Sequence, residues 1–435
     1  MRNNRPRFVA PLRPEALSTS GRGRSTLAPM TTPATANASE PVLQVHAVPG
    51  MARFDAAEWD ALATSPETLG AGDETFNPFT SHAFLSALEE SGCVTRRTGW
   101  LPLHLRVERD GTLVGAAPCY LKSHSQGEYV FDHAWADAYE RAGGSYYPKL
   151  QVSVPFTPVT GPRFLIAPGQ DPDTAAAAIV AGLRALRGET GASSIHATFL
   201  REREAAQAEA LGMLPRLDQQ FHWMNEGYAG FDDFLGALAS RKRKAIRRER
   251  REALSQGLTI EHRTGADISE ADWDAFYDFY QDTGARKWGR PYLNRRFFSL
   301  IGERMADRIL LVIARNGGRP IAGAINFIGD TALYGRNWGC LEDHPFLHFE
   351  VCYYQAMDFA MARGLKRVEA GAQGEHKLAR GYRPVPMHSA HDLADPALAR
   401  AVGDYLQRER GFVRAAIAEY ETMSPFRRSC EEPGE

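Results

Sequence analysis

Residues 105–117 read LRVERDGTLVGAA, and residues 311–324 read LVIARNGGRPIAGA. Each stretch predicts two short strands joined by a tight turn. The turns are placed at Asp110-Gly111 and Asn316-Gly317, because these residue types adopt positive φ at low cost. Single hairpins are common in proteins, so the elements that follow each copy decide what the repetition means.

The same order of elements follows both hairpins. After the first, the strand-like runs GEYVFDHAW and LQVSVPF lead to a helix over about 173–189, the strand SSIHATF, a short helix over 201–211 and the strand QQFHWMN. After the second come TALYGRNWG, a helix over 349–363, RVEAGA, a short helix over 375–380 and PMHSAHDL. This order predicts two tandem α/β domains, each built on a mixed sheet.

The ends of the chain differ from these two units in composition. Residues 1–40 contain six Arg and two acidic residues, with no apolar segment typical of a secretory signal. We expect a disordered tail or a start codon placed too early, with a transit peptide as the alternative. The predicted division is a tail over 1–40, a first domain over 41–228, a basic amphipathic helix over 229–257, a second domain over 258–422 and a polar tail over 423–435.

The bulk composition narrows the class of protein. The chain has 435 residues, of which 43% are apolar, enough for two cores, and no apolar run of transmembrane length. We therefore expect a soluble, cytoplasmic protein. Five scattered cysteines without CxxC spacing predict neither a disulfide framework nor a metal site. A net charge of −2 means that any polyanion must be met by a local patch.

One such patch is the run RKRKAIRRERR at 241–251, with eight basic residues in eleven. On a helix, the basic residues would form a stripe on one side, and an apolar face that includes Ile246 would lie on the other. This pattern predicts one amphipathic helix. Glu249 is the only acid in the run, whereas solvated faces usually mix both signs, so a polyanion contact is favoured over a solvated face. A tRNA, a nucleotide-linked diphosphate and an anionic membrane surface remain alternatives. The predicted contact residues are Arg241, Arg243, Lys244, Arg247, Arg248 and Arg251.

A second motif, GAQGEHKLARGY at 371–382, crowds acids and bases into a turn between glycines. Glu375 and His376 are candidates for the general base that an attacking amine requires. Glu350, at the start of the preceding helix, is a third candidate. The alternative for these carboxylates is a favourable charge at a helix N-terminus.

Substrate binding is predicted around these candidates and in a second stretch. AGGSYYPKLQVSVPF at 142–156 is expected to line an acceptor groove between the two halves, because ligand clefts favour domain interfaces. The alternative is a strand that packs under the sheet. The predicted substrate-binding residues are Arg336, Trp338, Tyr353, Gln373, Lys377, Arg380, Tyr146, Lys149 and Phe156.

Several stretches resemble the FemAB-like predicted N-acyltransferase family, and the resemblance covers about residues 75–395. They are NPFTSHAFLSALEESG (77–92), YYPKLQVSVPFTPVTGPR (146–163), RKRKAIRRERRE (241–252), LYGRNWGC (333–340), LHFEVCYYQ (347–355) and GAQGEHKLARGY (371–382). The resemblance implies an α/β fold with mixed sheets and two tandem GNAT-like domains of the acyl-CoA N-acyltransferase fold, related to the FemAB/FemX peptidyl-transferases.

The resemblance also implies a reaction. An acyl or aminoacyl group would pass to an amine of a peptidoglycan or other cell-envelope precursor, with no tightly bound cofactor and with aminoacyl-tRNA or acyl-CoA as the donor. The loop GCLEDHPFLHFE at 339–350 lacks the glycine pair of a pyrophosphate-binding loop and carries acids, which favours the tRNA donor. The alternatives are an acyl-CoA-dependent GNAT N-acetyltransferase and a non-catalytic GNAT-like binding protein. The first half is expected to be a scaffold.

Overall fold

The computed structural model describes residues 43–70, 74–255, 257–287, 291–372 and 374–427. The predicted tail 1–40 and residues 428–435 of the predicted polar tail lie outside these ranges. The strands are β1 Leu43–Val48, β2 Trp100–Pro102, β3 His104–Arg109, β4 Thr112–Ala117, β5 Cys119–Lys122, β6 Lys149–Val152, β7 Leu165–Ile166, β8 Ser194–Leu200, β9 Leu214–Met224, β10 Thr259–Thr264, β11 Ile309–Asn316, β12 Arg319–Ile328, β13 Ala332–Cys340, β14 Arg367–Glu369 and β15 Tyr382–Leu393.

The helices lie between these strands. They are α1 Ala56–Ala63, α2 Pro66–Leu69, α3 His82–Glu90, α4 His133–Arg141, α5 Pro172–Thr190, α6 Glu202–Ala210, α7 Phe231–Ala237, α8 Ser240–Ala253, α9 Glu270–Lys287, α10 Arg295–Met305, α11 Leu347–Phe349, α12 Gln355–Ala362 and α13 Pro396–Thr422. A π-helical turn, Glu350–Tyr354, joins α11 to α12, and a 3-10 helix spans Glu375–Arg380. No helix in the described ranges combines the length and apolar character that crossing a bilayer requires.

Two sheets organise the described part of the chain. Eleven strands form one mixed sheet in the order β10-β11-β12-β13-β14-β9-β15-β8-β6-β5-β2, and β1, β3, β4 and β7 form a smaller antiparallel one. Each half contains one parallel pair with a helical crossover, namely β6 and β8 through α5, and β13 and β14 through α11 and α12. The predicted tandem α/β architecture on a mixed sheet is thus confirmed.

The last strand of each half is exchanged with the other half. β9 belongs to the first half in sequence but pairs with β14, whereas β15 follows β14 and pairs with β8. β9 and β15 also pair with each other, antiparallel, from Trp223–Tyr382 to Leu214–His391. The two halves therefore share one continuous sheet, and each completes the other.

Three large apolar clusters pack around this shared sheet. α5 covers the first half with residues such as Ile179 and Leu183. The helices α11 and α12 cover the second half around Met357. A further core spans both halves and joins α1 and α3 to α9 and α10, with Trp59 and Trp273 fully buried. Burying apolar area across the junction stabilises the halves as one body.

Two local predictions need correction. The second hairpin turns at Gly317-Gly318, with φ of 54° and 83°, rather than at Asn316-Gly317. The reason is register, because Asn316 pairs with Arg319 and so ends its strand. The run GEYVFDHAW contains no strand and instead leads into α4, whose Trp135 packs against α13 through Leu406.

The predicted single amphipathic helix over 229–257 is two helices, α7 and α8. The break falls at Leu238 and Ala239, where the backbone turns away from helical geometry. Leu238 forms a β-bridge with Phe426, and the Ala239 N–H donates to the Pro425 carbonyl at 2.9 Å. A tertiary contact with the C-terminal segment thus overrides the local helical pattern.

The exchange of β9 and β15 predicts that the halves fold only together. If residues 43–255 are produced alone, β8 lacks its antiparallel neighbour β15. If residues 257–427 are produced alone, β14 lacks β9. Exposed strand edges of this kind promote aggregation. We expect co-expressed fragments to co-purify through a tag on one of them, and each fragment alone to lack a cooperative thermal transition. The uncut chain is the control. Cooperative unfolding of a lone fragment would contradict the prediction.

Candidate active site

The candidate site lies where β13 and β14 separate. The two strands run parallel for three residue pairs, from Ala332–Arg367 to Tyr334–Glu369. β13 then continues along β12 to Cys340, with a bulge that leaves Arg336 unpaired in the register. β14 ends at Glu369, and in the described ranges the chain directly after it keeps backbone hydrogen bonds only to Phe221 of β9, on the side away from β13. Parallel strands that part at their carboxyl ends open a gap, which is where open α/β sheets bind ligands.

An aromatic and imidazole cluster lies on the helix side of this gap. The Trp338 and His348 rings are 5.3 Å apart, and the His348 and Tyr353 rings are 5.4 Å apart. The Tyr353 hydroxyl and His376 Nε2 are 3.0 Å apart and hydrogen-bonded, and the Phe349 ring lies 5.5 Å from the imidazole. Tyr353 belongs to the π-helical turn, a feature frequent at functional sites. The structure thus brings together the predicted residues Trp338, Tyr353 and His376.

His376 is an exposed side chain with a perturbed proton affinity. Partial burial, then the nearby positive charges of Arg380 and Lys377, lower its pKa from the ordinary value. An imidazole with a lowered pKa is neutral at neutral pH and can accept a proton. This geometry fits the predicted base. The Glu375 side chain and the residue Gln373 lie outside the described part of the structure, so their roles stay predictions.

Lys377 lies inside the gap. Its Nζ donates to the carbonyls of Ala370 and Gly371 at 2.5 and 3.0 Å, directly after the end of β14. Burial lowers the pKa of Lys377 to about 8. The ammonium satisfies the Ala370 carbonyl and shares the Gly371 carbonyl with the Phe221 N–H of β9. Lys377 therefore stabilises the backbone that borders the gap rather than facing an acceptor.

Arg380 is also engaged internally. Its guanidinium donates to both carboxylate oxygens of Glu249 at 2.8 and 3.1 Å, and to the His376 carbonyl at 2.7 Å. The guanidinium carbon lies 3.5 Å from the centre of the Phe349 ring. The partner on α8, Glu249, was not among the predicted site residues. Its sequence signal was its position as the single acid in a basic run.

Glu350 is fully buried, and both of its oxygens are occupied. They accept from Arg250 of α8 at 2.9 and 3.1 Å and from Gln355 at 2.6 Å. Arg250 also pairs with Asp358 at 2.7 Å. A carboxylate so paired is placed to fix α8 on the helix beneath it through Arg250, rather than to cap a helix N-terminus.

The basic stripe on α8 remains open to solvent. Arg247 pairs with Asp232 at 2.9 Å, and Arg248 with Glu252 at 3.5 Å. Within the described ranges, no ion pair is formed by the other four predicted contact residues, which are exposed or half-exposed: Arg241, Arg243, Lys244 and Arg251. Uncompensated cations on one surface are the electrostatic footprint of polyanion binding.

A cleft between the halves lies on the other side of β13. Arg336 Nη2 donates to the Phe156 carbonyl at 2.6 Å, which links the second half to the first. Phe156 has φ of 58°, a backbone conformation rare for aromatic residues and often found at functional sites. Its ring stacks on Tyr292 at 4.9 Å and borders a cleft of about 590 Å³. The described residues lining this cleft have aromatic, amide, hydroxyl, thiol, apolar or basic side chains, and none is acidic.

Tyr146 and Lys149 lie beneath this surface rather than on it. The fully buried Lys149 ammonium donates to Glu128 at 2.7 Å and pairs with Asp132. Tyr146 donates to Asp132 at 2.7 Å. Of the three residues predicted to line the groove in this stretch, Phe156 borders the cleft. In the described ranges, no group of three or more His, Cys, Asp and Glu side chains is placed to hold a metal ion.

Two imidazoles meet next to this buried cluster. His196 on β8 and His391 on β15 approach through their Nδ1 atoms at 2.8 Å, and Ser194 contacts His196 Nε2 at 2.7 Å. Burial lowers the pKa of His196 to about 3 and that of His391 well below its ordinary value. The pairing depends on the exchange of β15, so sequence analysis had no local signal for it.

Comparison with known proteins fits this architecture. The model of the FemAB-like family, described as peptidoglycan biosynthesis/recognition, matches residues 50–428. The chain belongs to the FemAB-like family. Its halves are tandem α/β units that share one mixed sheet.

Solved structures that are similar to this FemAB-like protein are distant in sequence. FemX is 13% identical, with a TM-score of 0.49, over 81% of this chain and 99% of that one. A tandem GNAT protein from the clavulanic acid biosynthesis pathway is 11% identical, with a TM-score of 0.43, over 81% and 99%. L-PGS from Bacillus licheniformis is 10% identical, with a TM-score of 0.45, over 77% and 98%. No curated protein matches the chain.

The buried imidazole pair predicts acid-sensitive stability. Unfolded His196 and His391 bind protons near the ordinary pKa, whereas the folded pair binds them only at much lower pH, so stability is complete above about pH 6.5 and falls below it. The expected loss is about 1.4 kcal/mol per pH unit for each imidazole, measured by urea unfolding at a series of pH values. The His196→Gln/His391→Gln protein should show a flatter dependence, and the exposed control His133→Gln the full one. An unchanged slope in the double variant would refute the assignment.

Proposed function

We propose that this FemAB-like protein transfers an aminoacyl or acyl group to the amine of a peptidoglycan or other cell-envelope precursor. The observation that carries the proposal is the hydrogen bond between His376 and Tyr353 at the open end of β13 and β14. The family description supports the acceptor class. An amine attacks a carbonyl only when it is unprotonated, so a neutral imidazole beside the gap supplies the required base.

In the proposed step, His376 carries one proton from the acceptor amine to the oxygen that leaves with the donor. In the tautomer with its proton on Nε2, His376 donates to the Tyr353 hydroxyl, and Nδ1 is left to accept a proton. The acceptor nitrogen forms a bond to the acyl carbon while its proton passes to Nδ1. The bond between the acyl carbon and the ester oxygen of the donor then breaks, and the imidazolium returns the proton to that oxygen. Tyr353 fixes the ring, as the third group of a catalytic constellation does.

The acceptor is assigned to the cleft between the halves. Its volume of about 590 Å³ and its aromatic and amide lining suit a bulky, polar, uncharged or anionic precursor. Arg336 and Phe156 connect the cleft to β13, which carries Trp338 of the imidazole cluster on its other side. The proposal therefore requires that a precursor bound in the cleft extend its amine past β13 to the gap.

The donor is assigned to the aminoacyl-tRNA class. The unpaired cations on α8 suit a phosphate backbone. The loop before α11 does not offer a pyrophosphate cradle, because the Leu347 and Phe349 amides donate to loop carbonyls at 3.3 and 2.9 Å. Glu342 in that loop is held by Arg319 and by His344 at 2.9 Å. These contacts favour the tRNA donor over an acyl-CoA.

Removing the imidazole tests the chemistry. We expect His376→Ala to lower kcat by about 10²- to 10⁴-fold with unchanged acceptor affinity, because general-base catalysis contributes that range. Tyr353→Phe should lose less. The ratio of wild-type to His376→Ala activity, in which the titration of the acceptor amine cancels, should fall only below about pH 6.5, since the pKa of His376 is lowered. Single-turnover assays with charged tRNA and with acyl-CoA measure both donors, with His133→Ala as the control. Full activity of His376→Ala would exclude this base. Precursor binding by the wild type without turnover of either donor would favour the binding-protein alternative.

Reversing charge on α8 tests the donor. We expect Arg241→Glu/Lys244→Glu/Arg251→Glu to weaken tRNA binding by at least about ten-fold and to reduce the salt dependence by about one unit of slope per lost phosphate contact. Binding is measured by fluorescence anisotropy across a salt series. The control reverses Arg408 and Arg414, two exposed cations on α13. Equal salt slopes in both variants, or saturable acetyl-CoA binding without tRNA binding, would overturn the donor assignment.

A further inference from the structure

We propose that Glu249 is a positioning residue that couples polyanion binding on α8 to the orientation of His376. The proposal rests on the proposed function and extends it to the control of that site. Glu249 is the single acid in the basic run 241–251, yet its side chain turns away from the polyanion-facing surface. Its carboxylate accepts from Arg380 at 2.8 and 3.1 Å and from the hydroxyl of Tyr354. The acid therefore serves an internal contact.

The contact continues from Arg380 to the imidazole. Arg380 is 6% exposed and donates to the His376 carbonyl at 2.7 Å across one turn of the 3-10 helix Glu375–Arg380. The same guanidinium covers the face of Phe349, whose ring lies beside that of His376. Backbone and ring of His376 are thus both placed by Arg380, and Arg380 is placed by Glu249.

The next residue on α8, Arg250, is a cation and binds acidic residues of the segment that carries Tyr353. Arg250 binds Glu350 in the π-helical turn and Asp358 on α12. Adjacent inward-facing charges of opposite sign therefore bind the two segments that carry His376 and Tyr353. The outward-facing side of the same helix carries three exposed cations of the basic stripe that are unpaired among the described residues, Arg241, Lys244 and Arg251.

The helix α8 thus links its outer, basic surface to the inner surface that contacts the imidazole cluster. α8 is a continuous helix of 14 residues, so a ligand that fixes its outer face also fixes Glu249 and Arg250 on its inner face. A buried guanidinium that loses its carboxylate is strongly destabilised, so Arg380 follows Glu249. A polyanion shifts the site to the extent that it favours one position of α8 over another. Donor binding thus sets the hydrogen bond between His376 and Tyr353.

The experiment follows the His376 imidazole proton resonance by NMR, with His376→Gln used for assignment and uncharged bulk tRNA as the polyanion probe. We expect tRNA to shift this resonance in the wild type. In Glu249→Gln, we expect tRNA to bind at least as tightly, because a negative charge is lost from α8, but the shift to disappear. With charged tRNA, kcat should fall about ten-fold or more at unchanged KM, because a small misplacement of a catalytic group is costly.

Two variants separate positioning from folding. Glu249→Asp keeps a carboxylate and should restore part of the resonance shift. Glu252→Gln removes an exposed acid from the same helix, so tRNA should again bind at least as tightly, but the tRNA-induced shift of the His376 resonance should remain as in the wild type. An unaltered tRNA-induced shift in Glu249→Gln would overturn the coupling. If the wild type binds no tRNA, the donor assignment and the coupling to it fail. The positioning role of Glu249 is then decided separately by the His376 titration midpoint without ligand, which must differ between Glu249→Gln and the wild type.

Discussion

The antiparallel pairing of β9 with β15 is the constraint on which the rest of the structure depends. Each of these strands leaves its own half and supplies the neighbour that the parallel pair of the other half requires. The gap between β13 and β14 therefore lies beside a strand from the first half, and the buried imidazole pair joins strands from both. Neither feature could form in a half that folded on its own, because their backbone edges would lack partners.

Two ion pairs attach the helix α8 to the segments beneath it. The Arg250–Glu350 and Arg380–Glu249 pairs are shielded from water, so removing one partner leaves a charge that costs about 3–5 kcal/mol. Such pairs add little net stability over apolar packing, but they fix geometry. Here they determine how a polar helix sits on the two segments that form the imidazole cluster, which packing alone would leave free to slide.

Elements that depend on neighbouring residues in the chain could be predicted from the sequence. Contacts between residues that are distant in sequence could not. The hairpins, α5 and β8 carry clear periodicity, and the family blocks located the turn that contains His376. The run GEYVFDHAW was predicted as a strand, whereas its Trp135 belongs to α4 and packs against α13, far away in the chain. The break at Leu238 likewise depends on the C-terminal segment. The burial of Lys149 and the inward turn of Glu249 likewise depend on partners that no spacing rule connects. A charged residue in sequence carries no sign of whether water or a buried partner will face it.

The shared sheet also has a consequence in terms of mass action. Two separate copies of such a unit could build an equivalent sheet only by exchanging strands as a dimer, and that association would weaken on dilution. A covalent link replaces it with an intramolecular pairing whose effective concentration, of order millimolar for short linkers, is set by the chain itself. Fusion also frees the two halves to diverge, because one can lose chemistry while its exchanged strand remains indispensable to the other.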